Sequence, residues 1–265
     1  MTRRTALAAS LALFLFSVPA AARDFFWEAP EVVSSRDSRF PSSSTNGAVS
    51  AIVWQDIEPD GKDSGSIWLS GRVFDGKRWL DRKRFAGPFA YAGEVPSIAS
   101  VTVTGKGRIV VPVASGVNSV TVYSSDDFGA SFSSVVIDGG GTGLLAPRVF
   151  VRADGGYLLF ATYGTENNFV MVMSRSDDGS AWPTLTPFGP TSSRRRAFLP
   201  SHTAINGQDI VVFQAFHDDT GRSSYQLYST VSRDRGRSWS SPALITNFVD
   251  PGEPQSVAYT GYHHP

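Results

Sequence analysis

The 265-residue sequence contains no cysteine, and this absence excludes a disulfide framework, a thiol nucleophile and a cysteine-ligated metal site. The four histidines have no spacing with acidic residues that predicts a zinc site, so we expect no metal. Neither sign of charge is in excess, because 24 Lys and Arg balance 24 Asp and Glu. Without a basic surface, we do not expect nucleic acid as a partner.

Long hydrophobic runs are also lacking, except at the N-terminus. Arg3 and Arg4 precede an apolar run over residues 6–18, and Pro19 with three alanines follows it. This order is typical of a secretory signal peptide, and the run is shorter than the roughly 20 residues that span a bilayer. We therefore predict a signal peptide at 1–22, export of residues 23–265 to the periplasm or the extracellular space, and no membrane span after cleavage.

What the sequence does contain is an internal repeat of about 53 residues, which is best examined before any single motif. A proline precedes an alternating stretch at five places, 51 to 55 residues apart: Pro41, Pro96, Pro147, Pro200 and Pro254. Residues that accept the positive φ of a tight β-turn follow the first four prolines: Asn46-Gly47, Gly105-Lys106-Gly107, Asp154-Gly155-Gly156 and Asn206-Gly207. Each repeat is therefore expected to begin with a β-hairpin.

A second marker closes each repeat. Residues 232–239 have the pattern S-x-D-x-G-x-S-W, and residues 125–132 repeat it with Phe in place of Trp. Weaker copies occupy residues 175–182 and 74–79. The aspartate can accept backbone N–H bonds within its own turn, and the aromatic residue can pack under the sheet edge. We therefore expect these aspartates to form turns rather than to bind metal or catalyse a reaction.

Period-2 alternation and frequent turns, with no convincing 3.6-residue period, predict an all-β fold. Four short strands in each unit of about 53 residues are typical of propeller blades. We expect blades that start near residues 41, 96, 147, 200 and 254, the last of them truncated, and so four to five four-stranded blades. Because such a ring is open, we expect additional blades in a longer natural protein, closure by oligomerisation, or a five-fold ring.

The octamer pattern resembles the Asp-box, or BNR repeat, of the sialidase (neuraminidase) superfamily, and the resemblance extends over residues 39 to 254. It implies a β-propeller of the sialidase type, with six blades in a complete member and no metal or organic cofactor. It also implies a three-arginine clamp on the sugar carboxylate, whose first arginine lies in an R-I-P motif. Ser38-Arg39-Phe40-Pro41 is similar to that motif, which makes Arg39 a predicted substrate-binding residue.

The same resemblance implies candidate catalytic residues. The family's acid/base aspartate lies after the R-I-P motif and before the first octamer, where Asp63 stands, and Asp56 and Asp60 are alternatives to it. Glu253, after the last octamer, resembles the family's glutamate that activates a tyrosine nucleophile. No tyrosine and no further clamp arginine of this sequence stands in a matching motif.

Glu94 is the second predicted substrate-binding residue, because it stands two residues before its proline, as Arg39 does. The function that the resemblance implies is removal of terminal sialic acid from glycans by a retaining mechanism. The alternative is a non-catalytic propeller that binds a glycan or a protein, or serves as a scaffold. The arginine clamp separates the two, since only the enzyme needs it for turnover.

Overall fold

Sixteen strands in the described part of the chain form four antiparallel sheets of four strands each. The computed structural model describes residues 37–58, 66–90, 100–114, 118–139, 145–165, 168–191, 197–219 and 222–246. Within each sheet the strands pair in chain order, so every strand is a neighbour of the one before it. Each sheet is therefore a meander, and the four meanders span 37 to 54 residues from their first strand residue to their last.

The strand bounds are as follows. The first sheet contains β1 (Asp37–Thr45), β2 (Ser50–Glu58), β3 (Ser66–Phe74) and β4 (Lys83–Ala90). The second contains β5 (Thr102–Val103), β6 (Ile109–Ala114), β7 (Ser119–Ser125) and β8 (Ser133–Asp138). The third contains β9 (Leu145–Val151), β10 (Tyr157–Thr165), β11 (Asn168–Ser176) and β12 (Thr186–Pro187), which a 3-10 turn at Gly189–Thr191 follows. The fourth contains β13 (Phe198–Ile205), β14 (Gln208–Asp219), β15 (Arg222–Ser232) and β16 (Ala243–Leu244).

The four predicted turns each connect the first strand of a sheet to the second. Gly47 has φ of 90° and Gly155 has φ of 88°, values that a residue with a side chain rarely adopts. Antiparallel pairing continues outward from these turns: beyond the Gly155 turn, Tyr157 pairs with Val151 and Phe160 with Arg148. Local turn chemistry therefore sets where each meander begins.

Successive sheets pack face to face through three apolar clusters of described residues. Val53 of the first sheet packs with Val111 of the second, and Val122 of the second packs with Leu159 of the third. The cluster between the third and fourth sheets is rich in aromatic residues. Strand β6 is buried at every position because both of its faces lie between sheets. This stacking confirms the predicted β-propeller, with four blades described. The fifth predicted blade, from Pro254, lies outside the described residues.

The first strands of the four sheets run side by side in the same direction. Val103 of β5 donates its backbone N–H to Ser44 Oγ of β1 at 3.0 Å, and the Thr102 hydroxyl donates to the carbonyl of Val149 on β9. Strand β9 is joined to β13 in the same way, through the Arg148 guanidinium. The ends at which these strands begin therefore all lie on one side of the stack, here called the head.

Near the head, each described proline of the repeat lies in a β-bulge. The preceding residues are Phe40, Ala146 and Leu199, with positive φ of 52°, 49° and 52°, and the strand register shifts at each of them. For residues with a side chain, this conformation costs roughly 1–2 kcal/mol. The same strained bulge therefore recurs in three sheets, beside the residues that face the head.

The aspartate turns, the connections between third and fourth strands, share one hydrogen-bond pattern. Ser131 donates its N–H to Asp127 Oδ1 at 2.9 Å and its hydroxyl to Oδ2 at 2.6 Å. Ser238 makes the same two hydrogen bonds to Asp234, at 2.8 Å to Oδ1 and 2.5 Å to Oδ2. These serine contacts lower the pKa of each aspartate to about 2. In the third sheet Asp178 takes this position. The aspartates thus form turns, as expected.

Candidate functional site

Arg39 lies on β1 at the head of the first sheet, where its exposed side chain is adjacent to the bulge at Phe40. It pairs across the sheet with Gln55 of β2. Phe40 itself is 57% exposed, so the bulge presents a large apolar ring to solvent. A bulge changes the direction of the side chains beside it and is over-represented at functional sites. The predicted substrate-binding arginine is therefore on the surface, at a recurrent structural feature.

The other predicted site residues lie outside the described residues. These are Asp63, Asp60, Glu94 and Glu253, and the predicted signal peptide at 1–22 lies outside them as well. Their proposed roles stay predictions. Of the predicted catalytic and substrate-binding residues, the structure therefore describes Arg39, and it also describes Asp56, an alternative to Asp63.

An aromatic group occupies the head of the fourth sheet. Phe198 of β13 stands two residues before Pro200, just as Arg39 of β1 stands two residues before Pro41. Its ring meets the ring of Tyr225 edge-on at 5.3 Å between centroids, and Tyr225 meets Phe216 in the same manner at 5.6 Å. All three side chains are half-buried, so part of this surface contacts solvent. An exposed cation and an aromatic surface thus lie at the same end of the stacked sheets.

Asp56, the alternative acid, is enclosed by the first sheet. It is fully buried, and Trp54 Nε1 donates to its Oδ1 at 2.8 Å, with the Ser38 hydroxyl at 3.2 Å. The Ser70 hydroxyl donates to Oδ2, which also forms an ion pair with Arg82 Nη2 at 2.9 Å. A general acid must reach the oxygen that it protonates. Asp56 does not meet this requirement, and its contacts instead join the strands of the first sheet.

A second polar group lies two residues beyond Asp56 on β2, at Glu58. Glu58 accepts a hydrogen bond from Trp68 Nε1 at 3.1 Å and forms an ion pair with Arg84, whose guanidinium carbon lies 4.5 Å from the Trp68 ring centroid. Because side chains alternate along a strand, Glu58 and Gln55 project from opposite faces of the sheet. Arg39 pairs with Gln55, so Glu58 is not on the face of Arg39.

His202 lies between two sheets rather than in a solvent-exposed turn. Its side chain is only 4% exposed, and Nε2 lies 3.0 Å from Asp209 Oδ1. The ring stacks on Phe150 of the third sheet at 5.4 Å, and Asp209 Oδ1 also accepts the Ala153 N–H at 2.8 Å. Burial lowers the pKa of His202, although Asp209 acts in the opposite direction. The pair therefore joins the third and fourth sheets.

Metal binding and membrane insertion are two further possibilities for the described ranges of the chain. No group of three or more His, Asp and Glu side chains there is arranged to hold a metal ion. None of the helical segments there has the length and apolar character to cross a membrane. The candidate functional residues are Arg39 of the first sheet and the aromatic group of the fourth sheet, both at the head.

No family model and no curated protein sequence matches the chain. Among solved structures, a protein of unknown function from Dyadobacter fermentans superposes with a TM-score of 0.57 at 16% identity, over 85% of this chain and 70% of its own. An α-L-arabinofuranosidase from Fusarium graminearum superposes with a TM-score of 0.52 at 13% identity, over 77% of this chain and 66% of its own. A sialidase from Streptococcus pneumoniae has a TM-score of 0.46 at 14% identity, over 66% of this chain and 28% of its own.

These similarities establish the class of protein as a β-propeller whose fold a glycosidase also uses. At such identities they show the fold alone, because one fold hosts many functions. The chain also spans 66% of the length of the arabinofuranosidase and 28% of that of the sialidase. The activity has to be inferred from the residues of this chain.

Proposed function

We propose that this protein is an exported, glycan-acting propeller of the sialidase superfamily that removes terminal sialic acid. The observation that carries this proposal is the exposed Arg39 at the head of β1, beside the strained bulge at Phe40. A guanidinium offers a planar carboxylate two parallel, charge-assisted hydrogen bonds. The recurring aspartate turns support the assignment, since their sequence pattern resembles the Asp-box of this superfamily.

The aromatic group of the fourth sheet supports the proposal that the carboxylate ligand is a sugar rather than another kind of carboxylate. Phe198 and Tyr225 form a half-buried surface at the head, where Arg39 also lies. Ligand sites typically combine aromatic walls with a few oriented polar groups. In this proposal Arg39 binds the carboxylate, while the aromatic surface borders the remainder of the glycan.

The proposed chemistry uses a tyrosine nucleophile, which the resemblance implies. An anionic sugar repels a carboxylate nucleophile, whereas a phenol deprotonated by a nearby glutamate avoids that repulsion. Asp63 would protonate the leaving oxygen, Glu253 would take the tyrosine proton, and Glu94 would contact the sugar. The covalent glycosyl-tyrosine would then be hydrolysed, with retention at the anomeric carbon.

Arg39→Ala tests the proposal through kcat/KM for a fluorogenic sialoside. Truncating one partner of a hydrogen-bonded charge pair costs roughly 2–5 kcal/mol, so we expect kcat/KM to fall by about thirtyfold or more. Arg233→Ala, at an exposed arginine in the aspartate turn of the fourth sheet, is the matched control and should leave turnover unchanged. Undiminished turnover in Arg39→Ala would refute the assigned role.

The same experiment separates the enzyme from the non-catalytic alternative. If wild-type protein binds the sialoside without hydrolysing it, and Arg39→Ala weakens that binding, the chain is a glycan-binding propeller. Export is tested by the intact mass of the secreted protein, which should lack residues 1–22.

A further inference from the structure

A cavity of about 300 Å³ lies between the first and second sheets, at the end of the stack opposite to Arg39. Its floor includes Gly71, where a Cβ atom would lie only 3.3 Å from the Ile52 carbonyl oxygen and from Val53 Cγ1. One wall is Trp79, from the connection between β3 and β4, and the other is Phe128, from the aspartate turn of the second sheet. The volume is at the lower end of the range of small-molecule sites.

Phe128 places an aromatic residue at a position of the aspartate turn that does not require one. Its φ is 57°, a conformation that the turn itself imposes, and the residue is 43% exposed, so a large apolar ring is presented to solvent. Arg235 holds the corresponding place in the turn of the fourth sheet with φ of 66°, which shows that the turn does not require an aromatic residue. Trp79, across the cavity, is 37% exposed. Two aromatic rings therefore border the cavity without being buried in the core.

The lining of the cavity includes two cationic side chains. Lys83 Nζ donates to the carbonyl of Ala130 at 3.1 Å, which occupies one of its three protons. Arg78 interacts electrostatically with Asp75, which is outside the lining, and Asp81 is the acidic residue of the lining. Two cations and one carboxylate therefore line the cavity beside the aromatic walls. Such a lining favours an anionic ligand that also has hydroxyl groups.

From this geometry we infer that the cavity binds one saccharide ring that carries a carboxylate. Trp79 and Phe128 contact the apolar C–H faces of the ring, Arg78 and Lys83 bind the carboxylate, and Asp81 accepts hydroxyl protons. This site is separate from the head of the sheets and does not depend on hydrolysis. It would hold an acidic glycan chain at the periphery of the protein.

The test is calorimetric titration of the full chain with trigalacturonate, and with maltotriose as the neutral probe. Phe128→Asn is the decisive variant, because asparagine accepts a positive φ more readily than phenylalanine does. We expect its affinity for trigalacturonate to fall about fivefold or more, with no loss of thermal stability. Lys83→Gln, at an exposed position, should also weaken the binding of trigalacturonate, without changing the aromatic walls formed by Trp79 and Phe128.

Arg235→Asn is the matched control, since it changes the corresponding turn position and should bind trigalacturonate like the wild type. Arg39→Ala should also retain binding, because it lies at the opposite end of the sheets. The inference is overturned if wild-type protein does not bind trigalacturonate, if maltotriose binds equally well, if Phe128→Asn and Lys83→Gln bind like the wild type, or if Arg39→Ala abolishes binding.

Discussion

Arg152 Nη1 donates a hydrogen bond to the carbonyl oxygen of Arg235 at 3.0 Å, and this contact joins the third sheet to the aspartate turn of the fourth. The Arg152 guanidinium is buried, and its Nη2 forms an ion pair with Asp177 at 2.6 Å. Arg108 makes the equivalent contact from the second sheet, with Nη1 donating to the carbonyl of Asp178 at 2.7 Å. The aspartate turns therefore help to hold neighbouring sheets together.

Replacing Arg152 by methionine should lower the free energy of unfolding by about 2–3 kcal/mol. Removing one partner of a buried ion pair typically costs 3–5 kcal/mol, and the exposed Asp177 carboxylate reduces that loss by regaining water. Urea denaturation measures the difference. Arg233→Met, at an exposed arginine of the fourth turn, should stay within about 0.5 kcal/mol of the wild type. Equal losses in the two variants would contradict a bridging role for Arg152.

Acidification should destabilise the protein through His202. Burial lowers its folded-state pKa below the ordinary histidine value of 6.5, so the unfolded chain takes up a proton first as the pH falls. The contribution of His202 is therefore fully present above about pH 6.5 and is lost as the pH falls from there toward the folded-state pKa. Urea denaturation at about pH 7 and about pH 5 should show a smaller free energy of unfolding at the lower pH.

His202→Gln provides the comparison for this prediction. The variant keeps a polar side chain near Asp209 but has no imidazole to protonate, so its stability should depend less on pH over the same interval. If the wild type and His202→Gln lose the same free energy on acidification, the effect arises from other groups.

The serine contacts of the aspartate turns predict a local change in acidity. The Ser238 side chain is the largest cause of the lowered pKa of Asp234, which is about 2. Ser238→Ala should therefore raise the pKa of Asp234 toward 3.8, while Asp127 in the second sheet stays at about 2. Carboxyl carbon NMR titration reads both groups in one sample. Because a lowered aspartate pKa contributes stability above about pH 3.8 that is lost toward about pH 2, the variant should also show a weaker pH dependence there.

The blades were predictable because their markers act locally. A glycine such as Gly47 is needed wherever a tight turn has a positive φ, and a proline such as Pro147 recurs at the same bulge. The serine and aspartate of each octamer are at most a few residues apart, so their contacts follow from sequence alone. A turn glycine recurs in every described sheet, whereas the bulge proline and the serine–aspartate contact each recur in three, and together they made a period of about 53 residues visible.

The site was less predictable because its parts are distant in sequence. The proline marker located Arg39, but Phe198 and Tyr225 meet only after β13, β14 and β15 have paired. The burial of His202 likewise depends on Phe150, which belongs to another sheet. Composition gave no signal for these contacts, since burial of a polar residue between sheets has no local pattern.

The positive φ of Ala146 was also not predictable, because alanine is not a residue that favours it, and it leads to a final test. Ala146→Gly removes the side chain from a left-handed conformation, with φ of 49°, and should raise the free energy of unfolding by about 0.5–1 kcal/mol. Ala204→Gly makes the same chemical change at an exposed position of β13 without a positive φ, and should lower stability by roughly 0.5–1 kcal/mol. Urea denaturation of the two variants should give opposite signs, because glycine relieves strain only at the bulge. A similar loss in both would mean that the bulge at Ala146 is not strained.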